Sequence, residues 1–299
     1  MGAQGVDTVD GRAGARRAVA LRRRQRPRAT AAYVLLTAGI VIVAFPFYWM
    51  VVSALKPSPE MFDLRLVPAH PTLDNFAQVL TRTQFPRWFG NSLIVAVLTT
   101  LSIAFFDSLV GYTLAKLRFP GRTLIFVVIL ATLMIPTEML VIPWYVMSSA
   151  YHWINTYWGI MFPGLMDAFG IFLIRQFVSG VPDELFDAGR IDGVTEFGLY
   201  WRIALPQIKP ALAALCIFTF LGNWNAFLWP LIVIQTGGMR TLPVGIALFS
   251  GEAGSSWNLI MAASALAVLP VLAVFALLQR QDRQSRGRHD QVPDRKSVV

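Results

Sequence analysis

Three carboxylates stand where carboxylates are costly. Asp107, Glu138 and Asp167 fall inside long apolar stretches of this 299-residue chain. An ionised group at the centre of a membrane helix costs about 2.5–3.5 kcal/mol on insertion scales, so those retained face a bundle interior or a cavity. There a carboxylate can relay a proton, pair with a cation or accept hydrogen bonds from hydroxyl groups. A second set, Asn223, Trp224, Asn225 and Trp229, joins amides that bond hydroxyls to indole faces on which a sugar-like ring can lie. Glu138, Asp167, Asn223, Trp224, Asn225 and Trp229 are therefore candidates for lining a solute pathway. The structural alternative is that these polar groups tie helix to helix. Asp107 lies about two turns from Lys116, a spacing that suits an inner cavity or an ion pair better than solute contact.

Other chemistries lack their residues. His70, His152 and His289 have no ligand spacing, Cys216 is alone, and no nucleophile sits in a His/Asp/Glu motif. There is no GxxxxGK[ST] phosphate loop, so ATP hydrolysis is not expected of this chain. No cofactor or metal is expected either.

The elements that must position these residues are read from hydropathy and charge. The chain is 55% hydrophobic and 14% charged. Stretches of about 20 apolar residues span a bilayer core, and six such stretches occur, at roughly 31–54, 90–115, 123–146, 157–175, 207–234 and 257–279. The first is too long for a signal peptide and ends in Pro46-Phe-Tyr-Trp49 instead of a small-residue cleavage site. Residues 1–30 hold eight arginines against Asp7 and Asp10, and residues 280–299 are also basic. With both termini inside, most Lys and Arg, including Lys116, Arg118, Arg122, Arg175 and Arg190, lie on the cytoplasmic side, as the positive-inside rule requires. Basic tails beside apolar runs thus read as topology signals, not as a nucleic-acid site. The expectation is an all-α membrane protein: a cytoplasmic, disordered tail at 1–30, a six-helix domain at 31–279, and a cytoplasmic tail at 280–299.

One cytoplasmic segment, 181–210 between spans four and five, is too long and patterned for a simple connection. Pro182 followed by Asp183 and Glu184 is a helix start. Leu185, Phe186, Ala188, Gly189 and Ile191 form an apolar stripe at helical spacing, Gly193 interrupts it, and a second helix carries Phe197, Tyr200, Trp201 and Ile203. Pro206 marks the start of span five. An exposed apolar stripe usually marks a docking site. The alternative is a helix resting on lipid headgroups, which five acidic residues (Asp183, Glu184, Asp187, Asp192, Glu196) suit poorly.

At these residues the chain resembles the permeases of ATP-driven (ABC) importers. Asp187-Ala188-Gly189, Gly193 and Leu205-Pro206 are similar to the EAA loop of that family, with Asp for its Glu and Gly for its second Ala. Leu117-Arg-Phe-Pro-Gly-Arg122, Ala168-Phe-Gly-Ile-Phe-Leu-Ile-Arg-Gln176, Asn223-Trp-Asn225 with Trp229-Pro230, and Thr241-Leu-Pro-Val-Gly245 resemble the carbohydrate-type branch, the type of the maltose importer's second permease. The likeness runs from about Pro46 to Leu278. It implies a sister permease, two ATPase subunits that bind the ATP and magnesium, and an extracytoplasmic solute-binding protein, assembled in a bacterial cell membrane. It also implies coupling to the ATPase through Glu184, Asp187, Ala188, Gly189, Asp192, Gly193, Phe197, Leu205 and Pro206, with a sugar or polyol as solute. The competing readings are an importer for glycerol phosphate or an amino acid, and an ion-coupled transporter in which Glu138 or Asp167 relays protons.

Overall fold

The computed structural model describes residues 33–251 and 254–289; the side chains of 251–255 and 275–289 lie outside that description. The expected N-terminal tail and the last ten residues fall outside it too. The described chain is helical apart from a hairpin pairing Ser250–Gly251 with Gly254–Ser255.

Helix α1 (Tyr33–Ala54) is exposed over most of its length and meets the rest of the chain through its C-terminal part, where Val52, Ser53 and Ala54 are buried and Tyr48 donates to Leu66 O (2.7 Å). A short helix α2 (Asp74–Arg82) follows the proline-punctuated loop. The centre of the fold is α3 (Phe85–Lys116), 32 residues and so about 48 Å long. It buries Trp88, Asn91, Ser92, Val95, Thr99, Ile103, Asp107, Gly111 and Leu114, a face recurring every three or four residues.

The remaining apolar stretches are not single straight helices. Helix α4 (Arg122–Thr132) meets the Thr137–Leu140 turn and α5 (Val141–Ala150) at a 92° bend. Pro136 causes the break, because the residue before a proline is driven from the helical region. Helix α6 (Tyr157–Met161), with the turn Phe162–Gly164, meets α7 (Ala168–Ser179) at 45°. Between α7 and the next span lie α8 (Asp183–Ile191), α9 (Glu196–Leu199), a π-turn at Tyr200–Ala204 and α10 (Leu205–Gln207). An 82° bend at Ile208 then leads into α11 (Lys209–Trp224). Pro206 thus sits in the helix before the bend, and Lys209-Pro210 opens the span, because proline fits the first turn of a helix.

Helix α11 has 16 residues, about 24 Å, so the 207–234 stretch is not one continuous helix. It stops at Trp224, and α12 (Leu228–Val233) resumes after the break. Then come α13 (Leu242–Ala247) and α14 (Trp257–His289), which carries Pro270 and stays helical ten residues past the expected end of the sixth span. Among the described residues three helices are long and apolar enough to cross a membrane unaided, and the bent pairs bring the candidates to as many as six.

Four apolar clusters hold this together along α3, two of them large. One joins Ile103 and Tyr112 to Ile174, Phe186, Leu199, Tyr200 and Leu215. The other joins Trp88 and Ala96 to Val79, Phe220, Trp224, Leu242 and Ala262.

Candidate functional site

The 183–203 segment folds as the pattern demands. Asp183 and Glu184 lie in the first turn of α8, beside the positive end of its dipole. Its end is a Schellman motif. Gly193 N–H donates to Arg190 O (3.0 Å), Val194 N–H donates to Gly189 O (2.9 Å), and Gly193 takes φ +77°. Only glycine adopts that conformation without strain, so Gly193 sets the angle between α8 and α9. Thr195 caps α9 through its hydroxyl, which accepts from Gly198 N–H (3.2 Å).

The stripe does not face outward as a whole. Phe186 and Gly189 are buried against the chain's own helices, while Leu185, Ala188, Ile191, Phe197 and Trp201 stay exposed. A methyl added at Gly189 would stand 2.5 Å from Leu199 Cδ2, so α8 and α9 cross closely here and a larger residue would displace the Leu199 side chain. The outward surface therefore combines Leu185, Ala188, Ile191 and the stacked pair Phe197–Trp201 with the carboxylates of Glu184, Asp187 and Asp192. Leu205 is half-buried and Pro206 exposed.

The inner side is pinned to α3 by side chains on one face of that helix. Ser108 Oγ and Tyr200 Oη share a buried hydrogen bond of 2.7 Å. Tyr112 donates to Glu196 Oε2 (2.9 Å). Lys116 donates to Val181 O (2.6 Å) and Asp183 Oδ1 (2.5 Å), with its ammonium 4.9 Å from the Phe186 ring centre. Arg190 closes the network, donating to Asp187 (2.8 Å) and to Glu196 Oε1 (2.8 Å). The Lys116 hydrogen bond holds the Asp183 carboxyl below its usual range, and the Glu196 bond raises the Arg190 guanidinium further above its own. Sequence reading missed Ser108, Tyr112, Lys116 and Arg190 as tethers, although 108, 112 and 116 repeat at four-residue spacing.

Asp107 is fully buried, but its partner is not Lys116. Both its oxygens accept the Asp167 backbone N–H at 3.2 Å, and a methyl at Gly170 would collide with Asp107 Oδ2. The carboxylate thus caps α7 from a neighbouring helix, where the Asp167 side chain makes no capping bond of its own. The ion-pair alternative for Asp107 is corrected accordingly: among the described residues no cation lies within 4.0 Å of it.

The solute-pathway candidates do not converge on one place. Asn223, Trp224 and Asn225 sit at the end of α11, not at mid-helix as the apolar stretch suggested. Asn223 and Asn225 donate back to Thr219 O and Leu221 O (2.9 Å each), leaving their amide oxygens without a bonded partner among the described residues. Trp224 is buried, donates to Ala267 O (3.1 Å) and stacks on Phe220. With Asn225 it lines a cleft of about 560 Å³ walled by Phe47, Met50, Pro243 and Val268. Trp229 donates to Gly159 O (2.9 Å) and packs edge-on to Phe162 and Trp144. Asp167 lies half-buried at the α6–α7 break, and Glu138 is exposed in the α4–α5 break.

Comparison with known proteins gives this geometry a context. The model of the binding-protein-dependent transport system inner membrane component family matches residues 107–283. An arabinooligosaccharides transport system permease protein, AraQ of Halalkalibacterium halodurans, is 36% identical over 82% of this chain and 91% of its own length. The sn-glycerol-3-phosphate transport system permease protein UgpE of Pectobacterium atrosepticum is 34% identical over 83% and 92%. The crystal structure of a bacterial ABC transporter that imports the acidic polysaccharide alginate contains a chain of the same fold, with a TM-score of 0.76, 21% identity, and coverage of 86% and 97%. The match spans the tethering face of α3, the α8–α9 pair and all the later spans, and the chain belongs to the family of binding-protein-dependent transport system inner membrane components.

Proposed function

We propose that this chain is a transmembrane permease subunit of an ATP-driven importer of sugars, in the oligosaccharide or polyol class. It has six spans with both termini in the cytoplasm, and two of the spans are bent pairs. ATP and magnesium belong to two ATPase subunits that dock on the outer side of α8–α9. A sister permease completes the pathway and covers the exposed length of α1, and an extracytoplasmic binding protein delivers the solute. The observation that carries this reading is the two-sided character of the 183–203 segment. One side offers apolar and acidic side chains to a partner, while the other is bonded to α3 at three successive turns. A partner pushing on the outer side moves α3 with it, which is what alternating access requires. This chain is a lever and performs no chemistry.

The sugar class follows from the arabinooligosaccharide relative and from amide oxygens beside an indole-lined cleft. The glycerol-phosphate relative favours a phosphorylated polyol as the second reading. The test is to purify the tagged chain in mild detergent, wild type beside Gly193→Pro. An ATPase subunit and a second permease accompany the wild type, and the variant loses the ATPase, because proline cannot adopt φ +77°. A chain that purifies alone and moves solute under an ion gradient without ATP overturns the reading.

A further inference from the structure

The arginines at the ends of α3, α4 and α7 have no part in the lever. Arg175 Nε donates to Leu114 O (3.4 Å), and its guanidinium lies 3.7 Å from the centre of the Phe126 ring. Arg122 donates to Leu117 O (3.1 Å) and Ala115 O (3.5 Å). Both therefore converge on the carbonyl end of α3, and Arg118 follows immediately, exposed. Among the described residues no carboxylate comes within 4.0 Å of any of the three. A guanidinium has five donors, and carbonyl capping uses only one or two of them. Beside this nook the chain turns apolar: Leu124, Val128 and Phe177 are exposed, and Phe126 stacks on Phe172.

We infer that Arg118, Arg122 and Arg175 form a binding site for the phosphate of an anionic phospholipid, whose acyl chains lie along the exposed faces of α4 and α7. Three guanidiniums with spare donors beside lipid-facing side chains match a headgroup joined to its tails, whereas a free anion needs no apolar flank. An ATPase surface is a poorer occupant. The neighbouring α8 face is acidic, so a partner complementary to it carries basic groups that the arginines repel. Only the leaflet occupied, the inner one, rests on the orientation proposed above; the site itself does not.

The experiment places the full chain in nanodiscs of mixed phosphatidylglycerol and phosphatidylcholine and measures by mass spectrometry which lipid stays bound. The expected result is enrichment of phosphatidylglycerol that falls about 5-fold in Arg118→Gln, the equivalent of about 1 kcal/mol per surface arginine, and vanishes in Arg118→Gln/Arg175→Gln. Arg82→Gln, on the outer side, keeps the enrichment. Arg118 makes no hydrogen bond among the described residues, so the single variant folds even if the double one does not. Equal enrichment in wild type and Arg118→Gln overturns the site. Release of the lipid by millimolar inorganic phosphate alone, or its replacement by a bound acidic protein, overturns the lipid assignment. No ATPase is needed, so failure here is separate from failure of the importer reading.

Discussion

The Lys116 half of α3 and the Trp224 end of α11 both place polar side chains among apolar ones, yet they use them in opposite ways. On α3, Asp107, Ser108, Tyr112 and Lys116 each bond to a different segment: the α7 N-terminus, Tyr200, Glu196 and the Val181–Asp183 stretch. On α11, Asn223 and Asn225 bond back to their own helix four residues earlier. The first set has its capacity taken up in holding the fold; the second keeps amide oxygens to spare. A polar residue in a membrane helix is therefore informative only once its partner is known. By this test the α3 group has its bonds committed to other segments of the fold, and the α11 amides keep acceptors free among the described residues.

The strongest way to break the comparison is steric. A methyl at Gly170 would lie 2.1 Å from Asp107 Oδ2, so Gly170→Val is expected to destabilise the chain by about 3 kcal/mol, the upper end for overpacking. The check is thermal unfolding in detergent. Gly222→Ala on α11, where no atom stands within 4 Å of an added methyl, leaves the midpoint unchanged. Similar losses at both positions would erase the contrast.

Removing bonds without changing shape sharpens it. The double substitution Ser108→Ala/Tyr112→Phe deletes two hydrogen bonds, one of them to a charged group, at a combined cost of about 2 kcal/mol. The outer face of α8–α9 is untouched, so the ATPase is expected to bind and hydrolyse ATP while solute transport per ATP falls at least several-fold. Transport and hydrolysis falling together would mean that α3 is not the route of the motion.

These tethers show why some of the site was legible in sequence and some was not. Gly193 and the acidic first turn of α8 are local devices, and local chemistry reads directly from neighbouring residues. Periodicity found the α8 stripe, but it cannot say which part meets a partner. Phe186 and Gly189 point into the chain because Tyr112 and Leu199, remote in sequence, lie beneath them. Hydropathy located the membrane segments but carries no direction, so it showed neither the 92° turn at Pro136 nor the stop at Trp224. Asp107 was legible as costly; its partner, a backbone N–H 60 residues away, was not.

The α11 side of the comparison is tested by solute. Asn223→Ala and Asn225→Ala each remove an amide whose only bond returns to its own helix, so stability is expected to hold. Loss of one hydrogen bond to a solute hydroxyl is worth about 1 kcal/mol, and the concentration for half-maximal transport rises about 5-fold. A fall in the unfolding midpoint with unchanged transport would place these amides with the structural set.

The smallest effect concerns the far end of the α3 face. Asp183 is largely exposed, and the nearly buried Lys116 ammonium lowers its pKa below the usual 3.8. A carboxyl whose folded pKa is depressed contributes its stability above the unfolded value and loses it as pH falls through the folded one. Hydrogen-exchange protection of α8 is therefore expected to stay level between pH 7 and 5 and to decline only below 3.8. Lys116→Met should lower the protection at neutral pH and shrink the acid step, because Asp183 then loses the largest cause of its depression. An acid step of equal size in both proteins would show that the tether at this turn does not depend on the ion pair. It would leave Val181 O and the Phe186 ring as what Lys116 holds.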